Sequence, residues 1–120
     1  IYDKKLGRVN TVPLMQANLQ QFHESKWVVP IIANSNSIAP SWGAKLGLLF
    51  IDGSHTEISA LNDYDNWNSK LHSHGALVIH DIYEKPEDGG QAPYLIYQKA
   101  LAEGFQLHDR VDTIVCLTKP

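Results

Sequence analysis

The amino-acid sequence predicts an α/β fold, with a doubly wound, mostly parallel sheet and a C-terminal antiparallel hairpin. Apolar strand-like segments alternate with helical ones along the chain, and such alternation favours parallel pairing through right-handed crossovers. Segments 46–51 (LGLLFI) and 76–79 (ALVI) are continuously apolar, which is typical of strands covered by helices on both faces. We therefore expect a single domain over residues 1–120.

Composition narrows the class of protein and of partner. The chain of 120 residues is 43% hydrophobic and 19% charged, which suits a globular domain and argues against disorder. Its net charge is −3 and it has no run of Lys or Arg, so we expect neither a nucleic-acid nor a membrane partner. Cys116 is the only cysteine, which excludes an internal disulfide and favours the reducing cytoplasm.

The first half of the chain is predicted to contain a helix, a strand, a short helix and a second strand. Apolar residues at helical spacing predict the helix over residues 11–24. The β-branched segment 27–33 (WVVPIIA) predicts a strand, in which Pro30 favours an edge or a bulge. A short turn of helix is expected over residues 37–42, before the apolar strand 46–51.

The second half is predicted to contain a helix, a strand, a helix and a hairpin. In chain order these elements are 57–71, 76–79, 94–103, 105–111 and 113–118. His74-Gly75 is predicted to end the first of these helices, since glycine commonly follows a helix C-terminus. Asp112 lies in the very short turn between the last two strands, which predicts antiparallel pairing.

Two apolar strands each stop at an aspartate with a histidine close by. FIDGSH places Asp52 and His55 after one strand, and VIHD places His80 and Asp81 after the next. Because ligands bind beyond the carboxyl ends of strands in such sheets, we expect these residues to face one crevice. Carboxylate and imidazole groups can hold a metal ion or transfer a proton. The alternative is that the aspartates serve only as turn or helix-capping residues.

The stretch LLFIDGSHTEISALNDYDNWNSKLHSHGALVIHDIY resembles the class I S-adenosylmethionine-dependent methyltransferases, and among them methyltransferase family 24. The motifs are Asp52-Gly53-x-His55, an aspartate on the following helix at Asp63 or Asp65, and His80-Asp81. The resemblance implies a Rossmann-like sheet and a transferase that uses S-adenosylmethionine. Relatives that include the metal-dependent catechol-type and macrocin-type enzymes imply O-methyl transfer to a small molecule.

The resemblance also implies which residues bind the cofactor. Asp3 stands where the family binds the ribose hydroxyls, since a carboxylate can accept from two donors. Asn34 and Ser35 stand where the family contacts the adenine. Asp52 stands beside the methionine part of the cofactor.

Metal binding and catalysis are implied at the two strand ends. Asp52 and Asp81 occupy the positions that ligate a divalent ion in metal-dependent relatives, either magnesium or another divalent metal, with His80 as a further ligand. Asp52 and His55 are the implied catalytic residues. His55 falls where catechol-type relatives place a lysine as general base.

One departure from the family leaves two functions open. The sequence has no glycine-rich loop or first strand, so we expect it to be the C-terminal two-thirds of a methyltransferase domain. It is then either a methyltransferase domain or, alternatively, a catalytically inactive fragment that acts as a binding or assembly module. Strand 46–51 would keep a bare edge unless segment 27–33 closes beside it or a second copy covers it, and we expect a homo-oligomer, most simply a dimer.

Overall fold

The computed structural model describes residues 2–5, 7–22, 26–53 and 56–120. The chain divides into two compact units, Ile1–Ile32 and Ala33–Pro120, each of which is taken by itself below. None of the described helices is both long enough and apolar enough to cross a bilayer.

The first unit contains a small hairpin and one helix. The two-residue strands β1 (Tyr2–Asp3) and β2 (Arg8–Val9) pair in antiparallel fashion. The predicted helix is confirmed as α1 (Val12–Gln21), which carries a proline in its first turn, where a missing N–H costs little. No residue of α1 is buried.

Residues 27–33 do not form the predicted strand. They have no regular secondary structure, and the side chains of Val29 and Ile32 are 81% and 70% exposed. Strand preference reflects packing against neighbouring strands, and Pro30 cannot donate a ladder hydrogen bond. The prediction of a strand was wrong for this segment, because it pairs with none of the described strands.

The second unit is built on a four-stranded sheet. Its strands are β3 (Leu46–Ile51), β4 (Leu71–Ile79), β5 (Gln106–Val111) and β6 (Ile114–Thr118), in the order β3-β4-β6-β5. β3 and β4 are parallel, whereas the other two pairings are antiparallel. The terminal hairpin is confirmed, but the prediction of a mostly parallel sheet is wrong for the described strands. The hairpin inserts β6 beside β4, so it adds two antiparallel pairings to one parallel pairing.

Three α-helices accompany this sheet, namely α2 (Ser35–Ile38), α3 (Glu57–Trp67) and α4 (Ala92–Ala102). α3 and α4 pack on one face of the sheet, where alternate residues of β4 and β6 are buried. On the opposite face, the side chains of Leu48 and Phe50 are 56% and 51% exposed. The second helical layer of a doubly wound sheet is thus not seen over β3 in the part of this unit that the structure describes.

The end of α3 differs from the sequence prediction. α3 ends at Trp67, a 3-10 turn spans Asn68–Lys70, and β4 begins at Leu71. His74-Gly75 therefore lies inside β4 and does not end a helix. Two carbonyl groups that follow α3 accept hydrogen bonds from Lys119. Its Nζ donates to Asn68 O at 2.7 Å and to Leu71 O at 3.0 Å.

Candidate functional site

The candidate site lies where β3 and β4 end side by side. The two strands run parallel with Ile51 opposite Ile79, and His80 N donates a hydrogen bond to Ile51 O at 3.2 Å. Asp52 and Asp81 thus leave the sheet at the same edge. The structure brings together two motifs that are separated by more than 20 residues of chain, at the edge where open α/β sheets bind ligands.

Asp52, His80 and Asp81 form a compact group of metal-ligating side chains. One ligand atom from each lies within 4.8 Å of the others, and this is the only such group in the described part of the chain. His80 Nδ1 lies 2.9 Å from Asp52 Oδ1, and His80 Nε2 lies 3.5 Å from Asp81 Oδ1. Two carboxylates and one imidazole are a donor set that fits Mg²⁺, Mn²⁺ or Zn²⁺.

The electrostatics of the group favour a positive charge between the two carboxylates. The hydrogen bond with Asp52 raises the pKa of His80 above its ordinary value, and the charge of Asp81 adds to this, although partial burial acts in the opposite direction. Because the side chain of His80 is 34% exposed, it remains accessible to solvent and to a ligand. The two carboxylates therefore create a negative potential at this strand end, which favours either a proton on His80 or a cation in its place.

The backbone at Asp81 fixes how this carboxylate leaves the sheet. Asp81 has φ 60°, in the left-handed region that aspartate tolerates better than most residues. The next residue, Ile82, is 1% exposed, and its N–H donates to Thr113 O at 2.9 Å. Burial of Ile82 offsets the cost of the left-handed turn, which is about 1–3 kcal/mol.

The structure separates the two aspartates of α3, which the sequence left as alternatives. Asp63 Oδ1 accepts a hydrogen bond from Ser35 Oγ at 2.5 Å. A Cβ atom on Gly53 would lie 3.1 Å from Asp63 Oδ2, so Asp63 also borders the turn that follows Asp52. Asp65 instead forms an ion pair with Lys99 Nζ at 3.1 Å. Asp63 is therefore the aspartate that borders the candidate site, and its contacts with residues remote in sequence distinguish it from Asp65.

Asn34 and Ser35, which the resemblance assigned to the adenine, lie at the start of α2 and are held against α3. Asn34 Oδ1 accepts from Asn36 N at 2.9 Å and caps α2. Asn66 Nδ2 donates to Asn36 Oδ1 at 3.0 Å. Together with the bond between Ser35 and Asp63, these contacts fix the turn onto the helix that follows the Asp52 strand end.

Two residues assigned from the sequence are not among the described residues of the second unit. Asp3 lies in the first unit, where its carboxylate accepts from Lys5 N at 2.9 Å and from Asn10 Nδ2 at 3.5 Å. His55 lies outside the described residues.

A comparison with protein-family models connects this geometry with known proteins. The model described as a methyltransferase domain, of family 24, matches residues 4–82, which is more than half of the chain. The match includes β3, α3 and β4 and thus both strand ends of the candidate site.

Proposed function

Because this chain belongs to the class I methyltransferase domains of family 24, we propose that it transfers a methyl group from S-adenosylmethionine to a hydroxyl group of a small molecule, with a divalent metal ion assisting. The family establishes a methyltransferase domain. The hydroxyl acceptor and the metal are the parts that we add, and His55 is proposed as the base that accepts the proton of the hydroxyl.

One observation carries the proposal, which is the convergence of Asp52, His80 and Asp81 within 4.8 Å at the ends of β3 and β4. These three side chains would hold the metal ion through two carboxylate oxygens and one imidazole nitrogen. A bound divalent ion supplies Lewis-acid chemistry, which eases removal of a proton from an acceptor hydroxyl. By holding the ion, Asp52 and Asp81 would fix the position of the acceptor hydroxyl. In-line methyl transfer depends on alignment of that hydroxyl with the methyl group.

The polar turn at Asn34 and Ser35 supports binding of the adenine. Asn34 uses its side-chain oxygen to cap α2, so the amide nitrogen is the group that it can offer to a ligand. Ser35 donates its hydroxyl proton to Asp63, so its oxygen can accept from a ligand. One donor beside one acceptor matches the edge of adenine that carries a ring nitrogen and an amino group. We further propose that Asp3 binds the ribose.

Isothermal titration with S-adenosylhomocysteine tests the proposed cofactor. We expect a dissociation constant clearly tighter than about 1 mM, which corresponds to about −4 kcal/mol. ATP serves as the control ligand, since it shares the adenine and ribose but lacks the amino-acid part. No binding of S-adenosylhomocysteine, or binding no tighter than that of ATP, would contradict the proposal.

We also propose that the chain self-associates through the free edge of β3, which bears on the alternative of an assembly module. β3 pairs only with β4 among the described strands, and its residues include no charge that would oppose pairing with another strand. A strand can pair with its own copy around a two-fold axis.

Light scattering at several protein concentrations tests self-association. The mass should rise toward that of a dimer, and Leu48→Lys should return it to that of a monomer, because lysine on an edge strand opposes pairing. Ile58→Lys is the matched control, since Ile58 is 75% exposed and lies on α3 rather than in β3. A monomer mass at every concentration would contradict the proposal.

A further inference from the structure

The bond between Ser35 and Asp63 has a direction that matters for ligand recognition. A carboxylate oxygen accepts hydrogen bonds, and a serine hydroxyl has a single proton to donate. Ser35 Oγ lies 2.5 Å from Asp63 Oδ1 and donates that proton to it. The lone pairs of Ser35 Oγ are then what the hydroxyl can offer to a ligand, so Ser35 acts toward that ligand as an acceptor.

The neighbouring Asn34 has the opposite polarity. Its Oδ1 is occupied by Asn36 N at 2.9 Å, and this bond caps α2. The amide nitrogen of Asn34 therefore acts as the donor. The exposed turn thus carries a donor on Asn34 and an acceptor on the next residue, Ser35, and these polarities are set by Asn36 and Asp63 respectively.

This pattern distinguishes between two kinds of purine. Adenine presents an amino group, which donates, beside a ring nitrogen that accepts. Hypoxanthine presents an oxygen that accepts beside a ring N–H that donates, which is the reverse. A hypoxanthine at this turn would leave two donors facing each other and two acceptors facing each other, which is disfavoured where the bound base excludes water from these groups.

We propose that Asp63 is a specificity-determining residue of this domain. By accepting the proton of Ser35, it makes Ser35 an acceptor and so selects a 6-amino purine over a 6-oxo purine in the cofactor. Asp63 acts through Ser35 and does not itself contact the ligand. This inference rests on the proposed function, because it assumes that the Asn34-Ser35 turn contacts the base of the cofactor.

The test compares two ligands by isothermal titration, namely S-adenosylhomocysteine and S-inosylhomocysteine. For the unaltered protein we expect the adenine ligand to bind at least about tenfold more tightly, because hypoxanthine is mismatched at both hydrogen-bond positions. Asp63→Asn keeps the shape of the side chain but can both donate to and accept from Ser35. In that variant the preference should fall to about threefold or less.

Four further variants make the result specific. Asp65→Asn is the matched control, because Asp65 lies on the same helix but pairs with Lys99, and the preference should not change. Ser35→Thr keeps the hydroxyl and should keep the preference, whereas Ser35→Ala should lower it to the part that the Asn34 donor supplies. Asp63→Asn added to Ser35→Ala should cause no further loss, because the aspartate acts through the hydroxyl.

The outcomes separate the two claims. If the unaltered protein binds neither ligand, the proposed cofactor is wrong. If it binds the adenine ligand and Asp63→Asn keeps the full preference, the proposed cofactor stands and the role of Asp63 is wrong. Full preference in Ser35→Ala would overturn that role as well. The role of Asp63 can therefore be tested even if Asp63→Asn does not fold. Thermal unfolding of each variant accompanies the titrations.

Discussion

Replacing Asp52 and Asp81 together by asparagine should abolish binding of divalent metal ions while the domain stays folded. The change removes two negative charges from a group whose ligand atoms lie within 4.8 Å of one another. Loss of an outer partner of a metal site commonly costs about 10–100-fold in affinity. Loss of two direct ligands should cost more, so we expect the affinity for Mn²⁺ to fall by more than about 100-fold.

Titration with Mn²⁺, followed by electron paramagnetic resonance, measures this affinity without a known methyl acceptor. The matched control is the pair Asp88→Asn and Asp109→Asn, which removes the same two charges from exposed positions elsewhere. The control should bind Mn²⁺ as the unaltered protein does. The metal part of the proposal fails if both double variants bind equally well. The unfolding midpoint of the control should barely change, since Asp88 and Asp109 are exposed and exposed substitutions usually alter stability by less than about 0.5 kcal/mol.

Replacing Tyr64 by alanine should destabilise the domain by about 3–5 kcal/mol, which is the usual cost of removing a large aromatic side chain from a core. Tyr64 is 0% exposed, its ring lies 6.3 Å from that of Phe105, and its hydroxyl donates to Glu103 Oε2 at 2.7 Å. Small domains have a total stability of about 5–15 kcal/mol, so much of it would be lost. Urea unfolding monitored by circular dichroism measures the change, and a cost below about 1 kcal/mol would contradict the assigned core.

Tyr64→Phe isolates the hydroxyl and gives a test that depends on pH. Burial is the main reason that the pKa of Tyr64 is raised above its ordinary value, and the bond to Glu103 adds to it. In the unfolded chain the hydroxyl loses its proton near about pH 10, whereas in the folded chain it keeps it. The unfolded state therefore binds fewer protons above that pH, and the stability contributed by this group is present below about pH 10 and is lost as the pH rises.

Tyr64→Phe and the unaltered protein should differ in the slope of the free energy of unfolding against pH. Between pH values of about 9 and 11, Tyr64→Phe should lose stability less steeply than the unaltered protein, by up to about 1.4 kcal/mol per pH unit. Asp65, Lys99 and Glu103 face the same ring. The pKa of Lys99 is raised chiefly by Asp65. Loss of the Lys99 proton at alkaline pH therefore lowers the stability of both proteins. Parallel slopes in the two proteins would contradict the role assigned to the buried hydroxyl.

Local pattern was enough to predict most elements of the second unit. β3 was predicted with its observed bounds, and the terminal hairpin was predicted within a residue at its strand ends. Both depend on signals that lie within the segment itself, namely a continuous apolar run and a short turn between two strands. Segment 27–33 was also predicted as a strand from a local signal, its β-branched residues. It forms no strand, because a strand also needs a partner for its backbone hydrogen bonds.

The sequence by itself determined that Asp52 and Asp81 end two apolar strands, and parallel pairing of consecutive strands makes such ends meet at one edge of a sheet. Only the tertiary structure decided that Asp63, rather than Asp65, belongs to the site. An α-helix has about 3.6 residues per turn, so the two aspartates point in nearly opposite directions around α3. Which one faces the site depends on how α3 is rotated about its axis. The packing of Ala60 and Tyr64 into the core sets that rotation, because burial of apolar surface outweighs what either carboxylate could gain alone.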